Sequence, residues 1–130
     1  MKFTPKAPPR RFQVGNAVKF DMKDCGELHL DADEQVTLKT SRGAEYDVAR
    51  KDWGFYATPS LNGRLEQFGL RAVLIRNRAT GRYFVLLVER GEEVRFDRYM
   101  AQEGLEVITW MDSTAALDKL ARRLASGEGA

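Results

Sequence analysis

Four side chains that could bind a metal or act in catalysis lie at alternate positions of one short stretch, Cys25, Glu27, His29 and Asp31. The intervening residues are glycine or leucine, so the alternation predicts a half-buried strand over 25–31 with one polar face. Residues four apart on a strand are separated by about 13 Å, at roughly 3.4 Å per residue. Cys25 and His29 are therefore too far apart for a thiol–imidazole dyad, which needs hydrogen-bond contact.

Residues two apart on a strand are close enough to share a metal ion. His29 with Glu27 or Asp31 would supply half a site, and the other half would need Glu45 or Asp47 from a neighbouring strand. The chain has one histidine and one cysteine, whereas structural zinc sites use Cys and His in fours. The simpler interpretation is the solvent-facing side of an amphipathic strand, so no metal is predicted. A small enzyme that uses carboxylates around His29 is kept as an alternative.

The segment 53–71 combines aromatic, arginine and glycine residues in what the pattern indicates is a long connection. Long connections in compact domains are disproportionately functional. Aromatic rings stack on a planar or sugar-like ligand while polar side chains fix its orientation. We expect Trp53 and Tyr56 to be the stacking platforms and Asn62 and Arg64 the polar anchors, with Arg71 beside them. The predicted ligand is a small anionic or sugar-containing molecule.

The same segment has a purely structural interpretation. Its apolar side chains would then cover the open face of the preceding sheet as a lid, and the polar ones would be ordinary surface. The side chains of this lid would be Trp53, Phe55, Leu61, Leu65 and Phe68.

Charge alternates along the chain and the net value is only +2. Residues 1–23 and 50–90 are basic, while 24–49 and 91–130 are acidic. Nucleic-acid-binding domains usually carry a concentrated basic face. A nucleic-acid-binding module that uses a basic tail and the arginines between 64 and 82 is therefore a second alternative. The acidic and basic blocks can equally pair with each other across the fold.

Several protein classes are excluded or disfavoured. The single cysteine rules out an internal disulfide framework. No apolar run approaches the roughly 20 residues that span a bilayer, and no secretory signal opens the chain, so we expect a cytoplasmic protein without membrane contact. No phosphate loop, nucleophile elbow or HExxH motif occurs. We therefore expect a non-catalytic binding or accessory module without a cofactor, although an enzyme is not ruled out.

The order of predicted strands and helices that must position these residues is typical of an α+β domain. We expect a flexible tail at residues 1–11, because they are rich in proline and basic residues. We expect one domain over 12–125 and a frayed C-terminus at 126–130. A weak strand at 12–20 precedes an antiparallel meander of three strands, at 25–31, 35–40 and 45–50. An exposed edge at 12–20 could pair with a second chain, so a homodimer is possible.

The second half of the chain has clearer signals. A short helix at 61–68 precedes a hairpin of strands 70–77 and 82–89. The run 83–88 is apolar on both faces, so we expect a central strand there. A helix at 92–103, a strand at 105–110 and a last helix capped by Asp112 or Ser113 follow. The last helix is expected to bury Leu117, Leu120 and Leu124.

Overall fold

The structure is a computed structural model that describes residues 1–127. It contains three helices and eight strands, all paired antiparallel, which confirms the mixed α+β class. The strands are β1 (Lys2–Val14), β2 (Phe20–His29), β3 (Gln35–Lys39), β4 (Glu45–Lys51), β5 (Gly54–Ala57), β6 (Leu70–Asn77), β7 (Tyr83–Glu89) and β8 (Leu105–Trp110). The helices are α1 (Arg64–Gln67), α2 (Glu93–Glu103) and α3 (Thr114–Ala125).

The first two strands form a long hairpin, which we call the arm (β1, β2 and the turn at 15–19). The expectation of a flexible tail at 1–11 is wrong, because β1 pairs with β2 from Lys2 to Val14 with one irregularity between Pro5 and Arg10. Both ends of the arm are held by the rest of the chain. The Met1 ammonium lies 2.9 Å from a Glu34 carboxylate oxygen, and the turn is bound by α2.

A three-stranded sheet follows in the order β3-β4-β5. It is an antiparallel meander as expected, but its members differ from the prediction. The strand expected at 25–31 pairs with β1 in the arm, whereas β5 comes from the segment 53–71, which was expected to be a long connection. The alternation of 25–31 indicated a strand correctly, but alternation does not specify which strand is its neighbour.

The second three-stranded sheet has the order β7-β6-β8, so β6 is its central strand. The expectation that 83–88 lies centrally is wrong, and Tyr83, Phe84 and Val85 are exposed. One face of this sheet packs on α2 through a core of Val73, Ile75, Val88, Phe96 and Met100. The other face packs on α1 and the start of β4 through Ala44, Leu65, Leu70 and Ala72.

The helices largely follow the predicted boundaries. α1 is shorter than the expected 61–68, and its N-cap is Gly63, although the Ser60 hydroxyl accepts a hydrogen bond from the Arg64 backbone N–H at 2.9 Å. α2 ends at Gly104, whose φ of 67° is the left-handed conformation that glycine adopts without strain.

The last helix is capped as predicted, because the Ser113 hydroxyl accepts from the Ala116 backbone N–H. The expected burial of Leu117, Leu120 and Leu124 is wrong, since no residue of α3 is buried and it touches the sheets only sparsely. Ser126 closes the helix through a backbone bond to Arg122, and the rest of the predicted frayed end, 128–130, lies outside the described residues.

No helix within residues 1–127 is both long enough and apolar enough to cross a membrane.

Candidate functional site

An open polar cleft lies where α1 ends, β6 begins, β7 ends and the chain leaves β8. Its volume is about 720 Å³, within the range of small-molecule sites. The cleft is lined by Glu66, Gln67, Gly69, Arg71, Arg90, Gly91, Glu93 and Asp112. The sheet register explains why these residues meet: Leu70 of β6 pairs with Glu89 of β7, so the segments flanking both residues open onto the same end of the sheet.

Arg71 is fixed in this cleft by three contacts. Its Nε donates to Oδ2 of Asp112 at 2.6 Å and its Nη2 to Oδ1 at 3.5 Å. Its guanidinium carbon lies 3.9 Å from the centroid of the Trp110 ring, within cation–π range. The carboxylate and the ring together hold the guanidinium plane in one orientation. Such preorganisation lowers the entropy lost when a ligand binds.

The Arg71–Asp112 pair also sets the charge of the cleft. The hydrogen bond from Arg71, opposed by partial burial, holds the pKa of the Asp112 carboxyl below its usual range. The same bond raises the pKa of the Arg71 guanidinium. Both groups are therefore ionised at neutral pH.

The other charged groups of the cleft are also paired. Nη1 of Arg90 lies 3.4 Å from a Glu66 oxygen, and the Glu93 carboxylate accepts from the Gly91 backbone N–H at 2.9 Å. Carboxylate acceptors and guanidinium donors thus line the same opening. This arrangement suits a ligand whose hydroxyl groups both donate and accept hydrogen bonds.

The five sequence-predicted ligand residues are not all brought together. Only Arg71 lines the cleft. Trp53 lies in the β4–β5 turn with 70% of its surface exposed, and Tyr56 is on β5 with half of its surface exposed. Asn62 donates to the Thr114 hydroxyl at 3.1 Å, at the start of α3.

Arg64, the remaining predicted anchor, lies on α1 beside a buried carboxylate. Its guanidinium is 4.0 Å from Asp47 and 5.2 Å from the centroid of the Phe68 ring. Asp47 is buried in β4, where it accepts a hydrogen bond of 2.5 Å from the Thr37 hydroxyl. The contact with Asp47 links α1 to the β3-β4-β5 sheet, whereas the contact with Phe68, the C-cap of α1, is local.

The exposures of the segment 53–71 bear on its interpretation as a lid. Leu65 is fully buried, but it packs with Leu70 and Ala72 of β6 in the second sheet and not on the preceding one, and Phe68 is partly buried. Trp53 and Phe55, in contrast, are exposed at 70% and 64%. These two aromatic rings cover no core and are accessible to a ligand.

No sequence pattern indicated that Glu66, Glu93 and Asp112 belong to the site. Asp112 is 41 positions from Arg71, and no spacing rule connects them. The predicted hairpin of 70–77 with 82–89 was the one available signal, because its register already places Arg90 near Gly69. The hairpin pattern does not show where α1 and the chain after β8 lie relative to these two strands.

The polar stripe of β2 does not form a metal site. His29 and Glu27 are exposed, 3.3 Å apart, on the arm. Glu45 and Asp47 belong to a different sheet from β2. The two carboxylates that the sequence offered as the second half of a metal site are therefore not on a strand next to His29. Within residues 1–127 no three His, Cys, Asp or Glu side chains converge to hold a metal.

Most arginines between 64 and 82 have acidic neighbours. Arg64 lies near Asp47, Arg71 near Asp112, and both Arg76 and Arg78 near Glu106. Pairing with carboxylates reduces the positive field that these side chains present to phosphate groups.

No protein-family model, curated protein or solved structure matches this chain.

Proposed function

We propose that the protein is a small non-catalytic binding domain that takes a sugar-containing small molecule in the polar cleft. The observation that carries this proposal is the fixed guanidinium of Arg71, held by Asp112 and Trp110 at the edge of a cleft of about 720 Å³. A planar donor group with a set orientation gives directional hydrogen bonds to ligand oxygens.

The charges of the cleft favour a polyhydroxylated group over a plain anion. Three carboxylates, those of Glu66, Glu93 and Asp112, line the cleft against the two guanidinium groups of Arg71 and Arg90. Carboxylates repel an anion but accept hydrogen bonds from sugar hydroxyls. A nucleotide-sugar would place its sugar in the cleft, with its phosphates toward the rim.

The lining residues also support binding without catalysis. They include no histidine, serine or cysteine, so the lining offers neither a hydroxyl or thiol nucleophile nor an imidazole base. A carboxylic acid that acts as a general acid near neutral pH needs a raised pKa. The pKa of Asp112 is lowered instead, which suits a permanent hydrogen-bond acceptor.

The proposal is tested by thermal shift with glucose, N-acetylglucosamine and UDP-glucose as probes. A probe at 100 times its dissociation constant stabilises the folded state by about 2.7 kcal/mol, several degrees for a chain of this size. Arg71→Lys keeps the charge but loses the planar fork, so it should abolish the shift. Arg82→Lys, the same change at an exposed position outside the cleft, should retain it. Absence of a shift with every probe, or a shift that survives in Arg71→Lys, would contradict the proposal.

Exposed aromatic residues favour a second candidate, the binding of single-stranded nucleic acid. Trp53, Phe55 and Tyr56 are exposed on the β4–β5 hairpin, with Phe55 and Tyr56 on opposite faces of β5, and stacking contributes about 1–3 kcal/mol per base. Binding of a short oligonucleotide should then weaken with salt, with a log–log slope of roughly −0.7 per phosphate contact, and Trp53→Ala should abolish it. A salt-independent affinity, or no effect of Trp53→Ala, rejects this candidate.

A further inference from the structure

The arm leaves one strand edge open to pairing. β1 and β2 form a sheet of two strands, and no other strand of the described chain pairs with either of them. The outer edge of β1 carries Pro5, Pro8 and Pro9, which lack the backbone N–H that a further strand would need. β2 contains no proline, so each of its residues has a backbone N–H, and that of Gly26 donates to the Asp24 carboxylate at 3.3 Å.

The arm also has too few strands for the apolar surface it carries. Its register places Phe3 opposite Leu28, Phe12 opposite Met22, and Val14 opposite Phe20. Directly opposed residues share a face, so these side chains form one apolar face, and most of them are exposed. An isolated two-stranded hairpin is marginal in water, whereas three or more strands with an apolar face are stable.

We propose that β2 pairs antiparallel with β2 of a second copy of this chain, with Cys25 opposite the partner's Cys25. Two copies would then share one four-stranded sheet related by a two-fold axis, the commonest symmetry of protein dimers.

The charge pattern of β2 is complementary to itself in this register. Lys23 meets the partner's Glu27, and Asp21 meets the partner's His29. On the other face Met22 meets the partner's Leu28, which continues the apolar side of the arm across the axis. Opposite charges and apolar pairs directly opposed across strands are stabilising.

Neighbouring registers lack this complementarity. Centring the pairing on Asp24 opposes that residue to itself and places Asp21 opposite Glu27. Centring it on Gly26 places Lys23 opposite His29 and Cys25 opposite Glu27, so no opposite charges meet. A shift by a single residue sends the apolar side chains to opposite faces of the sheet.

Within a single arm, Lys23 already has an unfavourable neighbour. It lies opposite Arg11 of β1, and like charges directly opposed are destabilising. The partner's Glu27 would lie on the other side of Lys23 and offset this repulsion.

The single cysteine of the chain reports directly on the proposed register. Opposed residues of antiparallel strands have Cα atoms about 4.5–5.5 Å apart, within the disulfide range of about 4.4–6.8 Å. Cys25 is exposed, so copper–phenanthroline oxidation of the full-length protein should yield a covalent dimer. Light scattering of the reduced protein should give twice the monomer mass.

Charge variants separate paired strands from chance collision. Lys23→Glu opposes like charges at two symmetric positions and should weaken association and slow cross-linking about tenfold. The same change gives Arg11 an opposite charge, so it does not destabilise the arm itself. The double exchange Lys23→Glu with Glu27→Lys should restore dimer and cross-link, and Lys119→Glu on α3 should leave both unchanged.

Three results would overturn the proposal. The first is a monomer that does not cross-link. The second is a cross-linking rate equal in the wild type, in Lys23→Glu and in the double exchange. The third is a dimer that neither cross-links through Cys25 nor responds to Lys23→Glu.

Discussion

The carboxylate of Glu103 accepts a hydrogen bond of 2.8 Å from the backbone N–H of Asn16. Glu103 is the last residue of α2 and is 6% exposed, and Asn16 is in the turn of the arm. The same carboxylate oxygen accepts from the Ala17 N–H at 3.2 Å. One buried acid therefore binds the far end of the arm to the helix that packs on the second sheet.

Removing this acid should loosen the arm. Hydrogen bonds to charged groups contribute about 1.5–3 kcal/mol each, less where the donors can turn to water. Because Asn16 and Ala17 are exposed, we expect Glu103→Ala to lower the free energy of unfolding by about 2 kcal/mol, measured by urea titration. Amide exchange at both residues should accelerate. Glu103→Gln keeps an acceptor oxygen and should cost less, so equal losses in both variants would contradict this account.

The exposures of Trp53 and Leu65 predict opposite outcomes for truncation. Trp53→Ala should change the free energy of unfolding by no more than about 0.5 kcal/mol, because the side chain is largely exposed. Leu65→Ala should lower it by about 2–5 kcal/mol, because that side chain is fully buried. Chemical denaturation of both variants checks the pair. A large loss in Trp53→Ala would show that this ring belongs to a lid after all.

Stability should fall in acid partly through Asp112. Arg71 holds the pKa of this carboxyl below its ordinary value of 3.8 in the folded state, so the unfolded chain binds the proton more readily. The stabilisation is fully present above the unfolded-state value and is lost as pH falls through the folded-state value. Urea titrations between about pH 2 and 6 should show this decline. Asp112→Asn, which has no proton to gain, should show a shallower decline, and an unchanged slope would refute the assignment.

The helix α3 should open before the sheets do. It has no buried residue, and isolated helices shorter than about 12–15 residues are marginal in water. Its amides should therefore exchange faster than those of β6, whose Val73 and Ile75 are buried. Ser113→Ala removes the N-cap and should reduce helical circular dichroism, while the unfolding midpoint of the sheets moves little. Equal protection of α3 and β6 would show that α3 is covered in solution.

Local patterns in the sequence were sufficient for several elements. The helix at 92–103, the strand at 105–110, the hairpin of 70–77 with 82–89 and the cap at Ser113 all appear within a residue or two of their predicted positions. Each depends on periodicity, turn residues or a cap within a few positions along the chain. The polar face of β2 was predicted for the same reason.

Beyond the hairpin of 70–77 with 82–89, tertiary structure decided which strands are neighbours. The period of two that marks 25–31 is the same whether its partner is β1 or β3, and prolines in 1–11 predicted a tail although an edge strand tolerates them. The apolar run 83–88 indicated a central strand, yet β7 lies at an edge with Tyr83, Phe84 and Val85 exposed. Each strand pairs with whichever distant segment gives the most stable sheet, and the periodicity of a strand does not show which segment that is.

The candidate site likewise has one feature that the sequence indicated and others that depend on tertiary structure. Arginine at position 71 within an unusual polar and aromatic segment was visible in the sequence, and it is in the cleft. Its fixed orientation was not visible, because Asp112 and Trp110 come from beyond the next two elements of the chain. The sequence determined which chemical groups were available, and packing of the β6–β7 hairpin against the chain after β8 determined which of them meet.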